Sequence, residues 1–349
     1  MKYFIAVALA AISFGYCDAQ TKSSGFALVD KRNAQQVDVL YNGKLLTSYC
    51  YYDSVRKPFL FPVNTIDGIA VTRGYPITPL PGERVDHPHH TGIWMNYESV
   101  NGLDFWNNST AIPLDKRHLY GTIKHSEITN KKTSGNKAML TATAGWISPD
   151  GVNLLSEITT YEFIVSSNKF FIDRQTTLTA NEVEVKFKDV KDGFFAIRVA
   201  RELEQPSQQA DVFVDAHGNE TKVPKVDNTG VSGRYIASNG LQGDSVWSSK
   251  GKWTTLKGKK KGKHITIGII DHPGNLGYPT YWHARGYGLF AANPLGRKVF
   301  SNGREELNFA LHPKQSVTFN YRVVIASSDI SNEQMNQLAK EFARTKRKK

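Results

Sequence analysis

The 349-residue sequence predicts an all-β protein, a single large antiparallel β-sandwich followed by a short C-terminal helix. Three observations predict it. Most of the chain alternates apolar and polar residues with period two; clusters of Gly, Asn, Asp and Pro punctuate the alternation; and no repeat, low-complexity linker or composition break divides residues 25 to 325. Many strands joined by short polar turns describe a sandwich.

The amino terminus reads as a secretory signal. Lys2, the apolar run "YFIAVALAAISFGY" and "CDAQ" give the charged start, short apolar core and small-residue exit of an exported chain, cleaved after Ala19. Tyr16 before Cys17 does not suit a lipoprotein signal. Export to the periplasm or exterior follows, with no membrane span, since no later segment approaches the ~20 apolar residues a membrane helix needs. Cleavage leaves Cys50 alone, which excludes an intramolecular disulfide and makes it a buried small hydrophobe. The expected organisation is a signal at 1–19, the sandwich at 20–330, and a helix with a basic tail at 331–349.

Within the sandwich, "LLSEITTYEFIV", "KFFIDRQTTLTA", "EVEVKF", "GFFAIRVA", "HITIGII", "ELNFAL" and "SVTFNYRVVIA" read as strands. "SPDG" (148–151), "DAHGNE" (215–220) and "SNG" (301–303) supply turns. The helix starts at Ser331, whose pairing with Gln334 makes a capping box, and Met335, Leu338 and Phe342 share one face. The net charge of +12 is local. Seven lysines in "KGKWTTLKGKKKGK" (250–263) and five basic residues in "RTKRKK" account for it, so a solvated basic loop and tail explain the charge without a nucleic-acid partner.

Three of the ten histidines fall in "DHPHH" (86–90). Pro88 biases His87 toward extended backbone, which would point His87 and His89 one way and His90 the other. A second Asp-His-Pro opens "DHPGNLGYPTYWHARGYG" (271–288), which supplies Asp271, His272, His283 and Arg285. Either the two loops converge on one pocket, or each histidine satisfies its own turn. In "GFFAIRVARE", alternation puts Phe195, Ile197 and Val199 in the core and Arg198 on the other face between Ala196 and Ala200, free to grip a ligand oxygen or to pair with an acid on the next strand. Glu157 shares a face with Thr159 and Tyr161, a set suited to sugar contact or to an ordinary solvent face. Trp94, Trp106, Trp247, Trp253 and Trp282 fall in loop-rich segments, as sugar-stacking platforms or as loop packing.

The strings "PFLFPV", "GIAVTRGYP", "DHPHHTGIWMNYESVNGLDFW", "DGFFAIRVA" and "DHPGNLGYPTYWHARGYGLFAANPLG" resemble the bacterial family labelled methane oxygenase PmoA-like, a domain of otherwise unknown function, over roughly residues 50 to 325. The label implies methane oxidation by a membrane protein, against which the missing membrane span argues. The resemblance further implies a galactose-mutarotase-like supersandwich from carbohydrate or oxidised-sugar catabolism. It carries over Asp86, His87, His89, His90, Arg198, Asp271, His272, His283 and Arg285 without fixing their roles.

The function expected is a carbohydrate-active lyase, hydrolase or epimerase acting on a small-molecule or oligosaccharide ligand. His87, His89, His90 and His283 are the proton-transfer candidates, because imidazole has a free pKa of about 6.5. Glu157 and Asp271 are the carboxylate candidates, while Asp86, Trp94, Trp106, Arg198, His272, Trp282 and Arg285 would bind substrate. Two alternatives stand beside this: a glycan-binding module without chemistry, and a metal-dependent enzyme that places a divalent ion at the His-rich loops. The sequence requires no cofactor.

Overall fold

The structure, a computed structural model, describes residues 24–345. The signal segment expected at 1–19 and most of the basic tail lie outside them. Sixteen strands form two eight-stranded sheets in which every paired strand is antiparallel. The first sheet runs Phe26–Lys31, Gln36–Tyr41, Lys44–Cys50, Phe59–Leu60, Ile93–Tyr97, Gly193–Arg198, Leu289–Asn293 and Tyr281–Arg285 in spatial order. The second runs Arg234–Ala237, Trp253–Lys260, Lys263–Asp271, Ser316–Ala326, Lys169–Ala180, Asn153–Ser166, Lys137–Ile147 and Thr122–Ser134. No helix among the described residues is long and apolar enough to cross a membrane.

Apolar residues from the inner faces of both sheets make one core, with Met95, Phe195, Ile197 and Phe290 from the first meeting Ile267, Phe319, Tyr321 and Val323 from the second. Burying each such side chain stabilises the fold by roughly 1.5–3 kcal/mol. The outer face of the first sheet carries a separate apolar floor of Cys50, Phe59, Trp94, Ala196, Leu289 and Ala291. The outer face of the second is covered by the helix Asn332–Ala343, which docks Met335 and Phe342. Its N-terminus is closed by the expected Ser331/Gln334 capping box.

Four expectations need correcting. "EVEVKF" and "ELNFAL" contribute only the two-residue strands Val185–Lys186 and Ala310–Leu311, paired with each other. The lysine-rich segment is not a loop but the hairpin of Trp253–Lys260 and Lys263–Asp271, where Lys257, Lys260 and Lys263 pair with Asp329, Glu202 and Asp67. Trp94, Trp253 and Trp282 sit within strands and are buried, so none is a loop platform. Glu157 is buried inside the sandwich rather than on a solvent face.

Candidate active site on the outer face of the first sheet

Strand register places the site. Trp94, Ala196, Ala291 and His283 are neighbours across four adjacent strands and share the outer face, with Arg198, Leu289 and Arg285 in the next outward row. Phe195 and Ile197 therefore enter the core and Arg198 points away from it, as the alternation implied.

The His-rich segment is a turn, not a strand. His87 adopts φ +44° and His90 N–H donates to the His87 carbonyl at 2.9 Å, which curls the chain back on itself. The expectation that His87 and His90 point oppositely is corrected by this curl: their rings stack 4.7 Å apart, 2° from parallel. Gly92 ends the turn at φ +53°, where an added Cβ would overlap the Leu60 carbonyl. A positive φ at a residue preceding proline is costly and persists only where the surroundings enforce it.

Asp86 provides that enforcement. Its Oδ1 accepts from Arg73 Nη1 at 2.5 Å and Arg198 Nη2 at 2.6 Å, and its Oδ2 accepts from His87 Nδ1 at 2.6 Å. Arg73 also donates to the His87 and His90 carbonyls, at 3.0 and 3.3 Å. Burial alone would raise the Asp86 carboxyl, but the Arg198 guanidinium, the His87 hydrogen bond and Arg73 outweigh it and hold it well below the usual carboxylate range. An ionised carboxylate only accepts, so His87 Nδ1 carries a proton and Nε2 is the atom able to take or give another. The His87 side chain is 39% exposed, whereas its neighbours are sealed.

Those neighbours are held neutral. Arg198 Nη1 lies 3.2 Å from His90 Nδ1; a guanidinium only donates, so Nδ1 accepts and the proton sits on Nε2. Burial, then His89 and Arg198, push His90 well below the ordinary imidazole range, and burial followed by Lys57 does the same to His89. Trp94 stacks beneath His90 at 5.1 Å and Trp106 meets it edge-on at 5.7 Å, so both indoles pack the histidine cluster instead of facing a ligand. Lys57 donates to the His89 carbonyl at 2.5 Å and lies over Trp94.

The second loop reaches this cluster through Tyr287. Its ring stacks on His87 at 5.0 Å and 10°, and the Arg198 guanidinium lies 4.8 Å from it. Tyr287 also borders a cleft of about 630 Å³ lined by Arg84, Gln205, Asp211, Asp244, Trp247 and Arg285. Arg84 donates to Glu204 at 2.7 Å and also pairs with Asp211, while Gln205 donates to Asp244 at 2.7 Å. His283, on the same sheet face, has Nδ1 3.8 Å from Asp192, and burial lowers it to about 4.

Asp86, His87, His89, His90, Trp94, Trp106 and Arg198 thus come together, with Arg285 and His283 on the same face. Four candidates do not join them. Glu157 faces the sandwich interior on the second sheet, bonded to Arg174 at 3.0 Å and Trp146 at 2.9 Å, with the first sheet between it and the histidines. Asp271 is locked in its own turn by Asn275 and the Thr280 N–H. His272 packs edge-on against Phe342 of the C-terminal helix. Trp282 lies in the core, donating to the Gly251 carbonyl. The second Asp-His-Pro therefore lies apart from the histidine cluster, which its loop meets at Tyr287.

Sequence reasoning missed Lys57, Arg73, Arg84, Glu204 and Tyr287. Arg73 and Tyr287 lie within the distinctive strings "GIAVTRGYP" and "HARGYG", but alternation gave no reason to select them. Among the described residues no three His, Cys, Asp or Glu side chains are arranged to hold a metal ion. Of the loop nitrogens, His87 Nδ1 is engaged by Asp86 and His90 Nδ1 by Arg198, while the buried Nε2 atoms of His89 and His90 have no hydrogen-bond partner among the described residues.

Comparison with solved structures finds similarity to the galactosidase domain of alpha-galactosidase-sucrose kinase, AgaSK, at 8% identity over 86% of this chain and 41% of that one, with a TM-score of 0.39. The Slr1438 protein from Synechocystis sp. PCC 6803 matches at 10% identity over 92% of this chain and 100% of that one, with a TM-score of 0.30. A galactose mutarotase related enzyme from Lactobacillus acidophilus matches at 9% identity over 87% and 98%, with a TM-score of 0.28. No curated protein matches the sequence. Nothing in these comparisons carries the methane oxygenase label that the sequence strings suggested. A family model does match residues 36–340, and the chain accordingly belongs to DUF6807, a family of unknown function.

Proposed function

We propose that this protein acts on a sugar by proton transfer at His87, in a reaction of the lyase or epimerase type. One observation carries the reading: Asp86 fixes the tautomer of the one exposed imidazole in an otherwise sealed cluster, and Tyr287 joins that imidazole to a polar, aromatic-lined cleft. A carboxylate–histidine pair of this kind orients the ring and stabilises the imidazolium formed during transfer. Arg73 and Arg198 keep Asp86 ionised and immobile, so they act through it. Trp247 and Tyr287 supply flat faces, and Gln205, Asp244 and Arg285 supply the convergent polar groups, that sugar hydroxyls require.

Deuterium incorporation at sugar carbons, followed by NMR in D2O over a panel of neutral sugars and uronic acids, tests the proposal. Exchange or product is expected with the native protein and is lost by at least 100-fold in His87→Gln, with the melting temperature within a few degrees. Exchange that persists in His87→Gln removes His87 from the chemistry. Saturable sugar binding with no exchange or product makes the protein a binding module instead.

A further inference from the structure

We infer that the cleft beside Tyr287 selects a sugar bearing a carboxylate, with Arg285 as its anion anchor. The inference rests on the sugar reading above and adds the charge of the substrate. Charge accounting within the cleft supports it. Arg84 is neutralised by Glu204 and Asp211, while Asp244 accepts from the neutral Gln205 amide and keeps its charge. Arg285 is the lining cation without a paired acid: among the described residues no carboxylate lies within salt-bridge distance of it, and no hydrogen bond occupies its guanidinium.

Arg285 is exposed at the end of its strand. Its guanidinium lies 5.8 Å from the Trp247 ring and 6.0 Å from the Tyr287 ring, within the outer range of cation–π attraction, with its donor edge open. Arg84 and Arg198 are buried and each meets a carboxylate, whereas Arg285 is exposed and is free to meet an anion from the cleft. A planar guanidinium fork matches the two oxygens of a carboxylate better than a lone hydroxyl.

The placement relative to His87 fits the same ligand. Tyr287 is next to both, and the Arg285 guanidinium is no more than about 11 Å from the His87 ring. A sugar acid held by its carboxylate at Arg285 would extend across Tyr287 toward the exposed imidazole.

Calorimetric titration of the full-length protein with D-glucuronate, D-galacturonate, D-glucose, D-galactose and acetate decides the matter. At least one uronate is expected to bind tenfold or more tightly than its neutral counterpart, to weaken between 50 and 500 mM NaCl, and to outbind acetate by a similar factor. Arg285→Gln should lose at least tenfold for the uronate and so erase its advantage over the neutral sugar, and Arg285→Lys should fall between, keeping charge without the fork. Equal affinity for uronate and neutral sugar overturns the inference and leaves the sugar reading standing. Acetate binding as tightly as the uronate, or no sugar binding at all, overturns both. The native protein's preference alone settles the question should Arg285→Gln fold poorly.

Discussion

Replacing Asp86 by Asn keeps the side chain's shape and removes its charge. The native carboxylate faces two guanidiniums whose side chains are 1% and 0% exposed, at 2.5 and 2.6 Å, and one imidazole N–H at 2.6 Å. At an effective dielectric constant near 20, one such pair contributes about 4 kcal/mol of attraction. Removing the shared anion leaves two buried cations facing each other, and breaking a buried pair typically costs 3–5 kcal/mol. The Asn carbonyl still accepts one bond and Glu204 still attracts Arg73, so the expected loss for Asp86→Asn is about 3–5 kcal/mol rather than twice that. Urea unfolding at pH 7 measures it, with the slope unchanged. The acid limb supplies a second signature. A carboxyl held below its unfolded value of about 3.9 contributes stability that is fully present above that pH and is lost as pH falls toward the folded value. The gap between native and Asp86→Asn proteins should therefore narrow below pH 4. A loss under about 1 kcal/mol at pH 7, or a gap that does not narrow in acid, would refute the account of Asp86 as the ion that holds the histidine turn.

Two further predictions follow from buried titratable groups. Burial lowers Lys57 to about 7, so its desolvation penalty is complete below pH 7 and fades as pH rises toward the unfolded value near 10.4. Lys57→Met should raise stability by roughly 2–4 kcal/mol at pH 6 and much less at pH 10; a less stable variant at pH 6 would mean that the bond to the His89 carbonyl outweighs the buried charge. Burial also raises Asp271 to about 7, which favours the folded state at low pH and withdraws that advantage as pH climbs from about 4 to 7. Chemical denaturation at pH 4.5 and 7.5 should show Asp271→Asn with a flatter profile than the native protein, and identical profiles would contradict the assignment.

The sequence by itself determined the class of fold, most strands, the helix cap and the outward direction of Arg198. Each of these is a local property: alternation along one strand decides which residues share a face, and a capping box needs only Ser331 and Gln334. It also drew attention to the right histidine segment, through three rings in four positions. What it misjudged depended on neighbours distant in the chain. Glu157 alternates like a solvent-facing residue, yet its face is covered by the other sheet and its charge is met by Arg174. His87 is extended by local rule and is turned instead because Asp86, Arg73 and Arg198 hold it there. The bond that organises the site joins residues 112 apart in sequence. Strand order in the folded sheets brings Arg198 beneath Asp86 and carries Tyr287 onto His87, and strand order is fixed by burying both sheet faces at once, which no short window of sequence expresses.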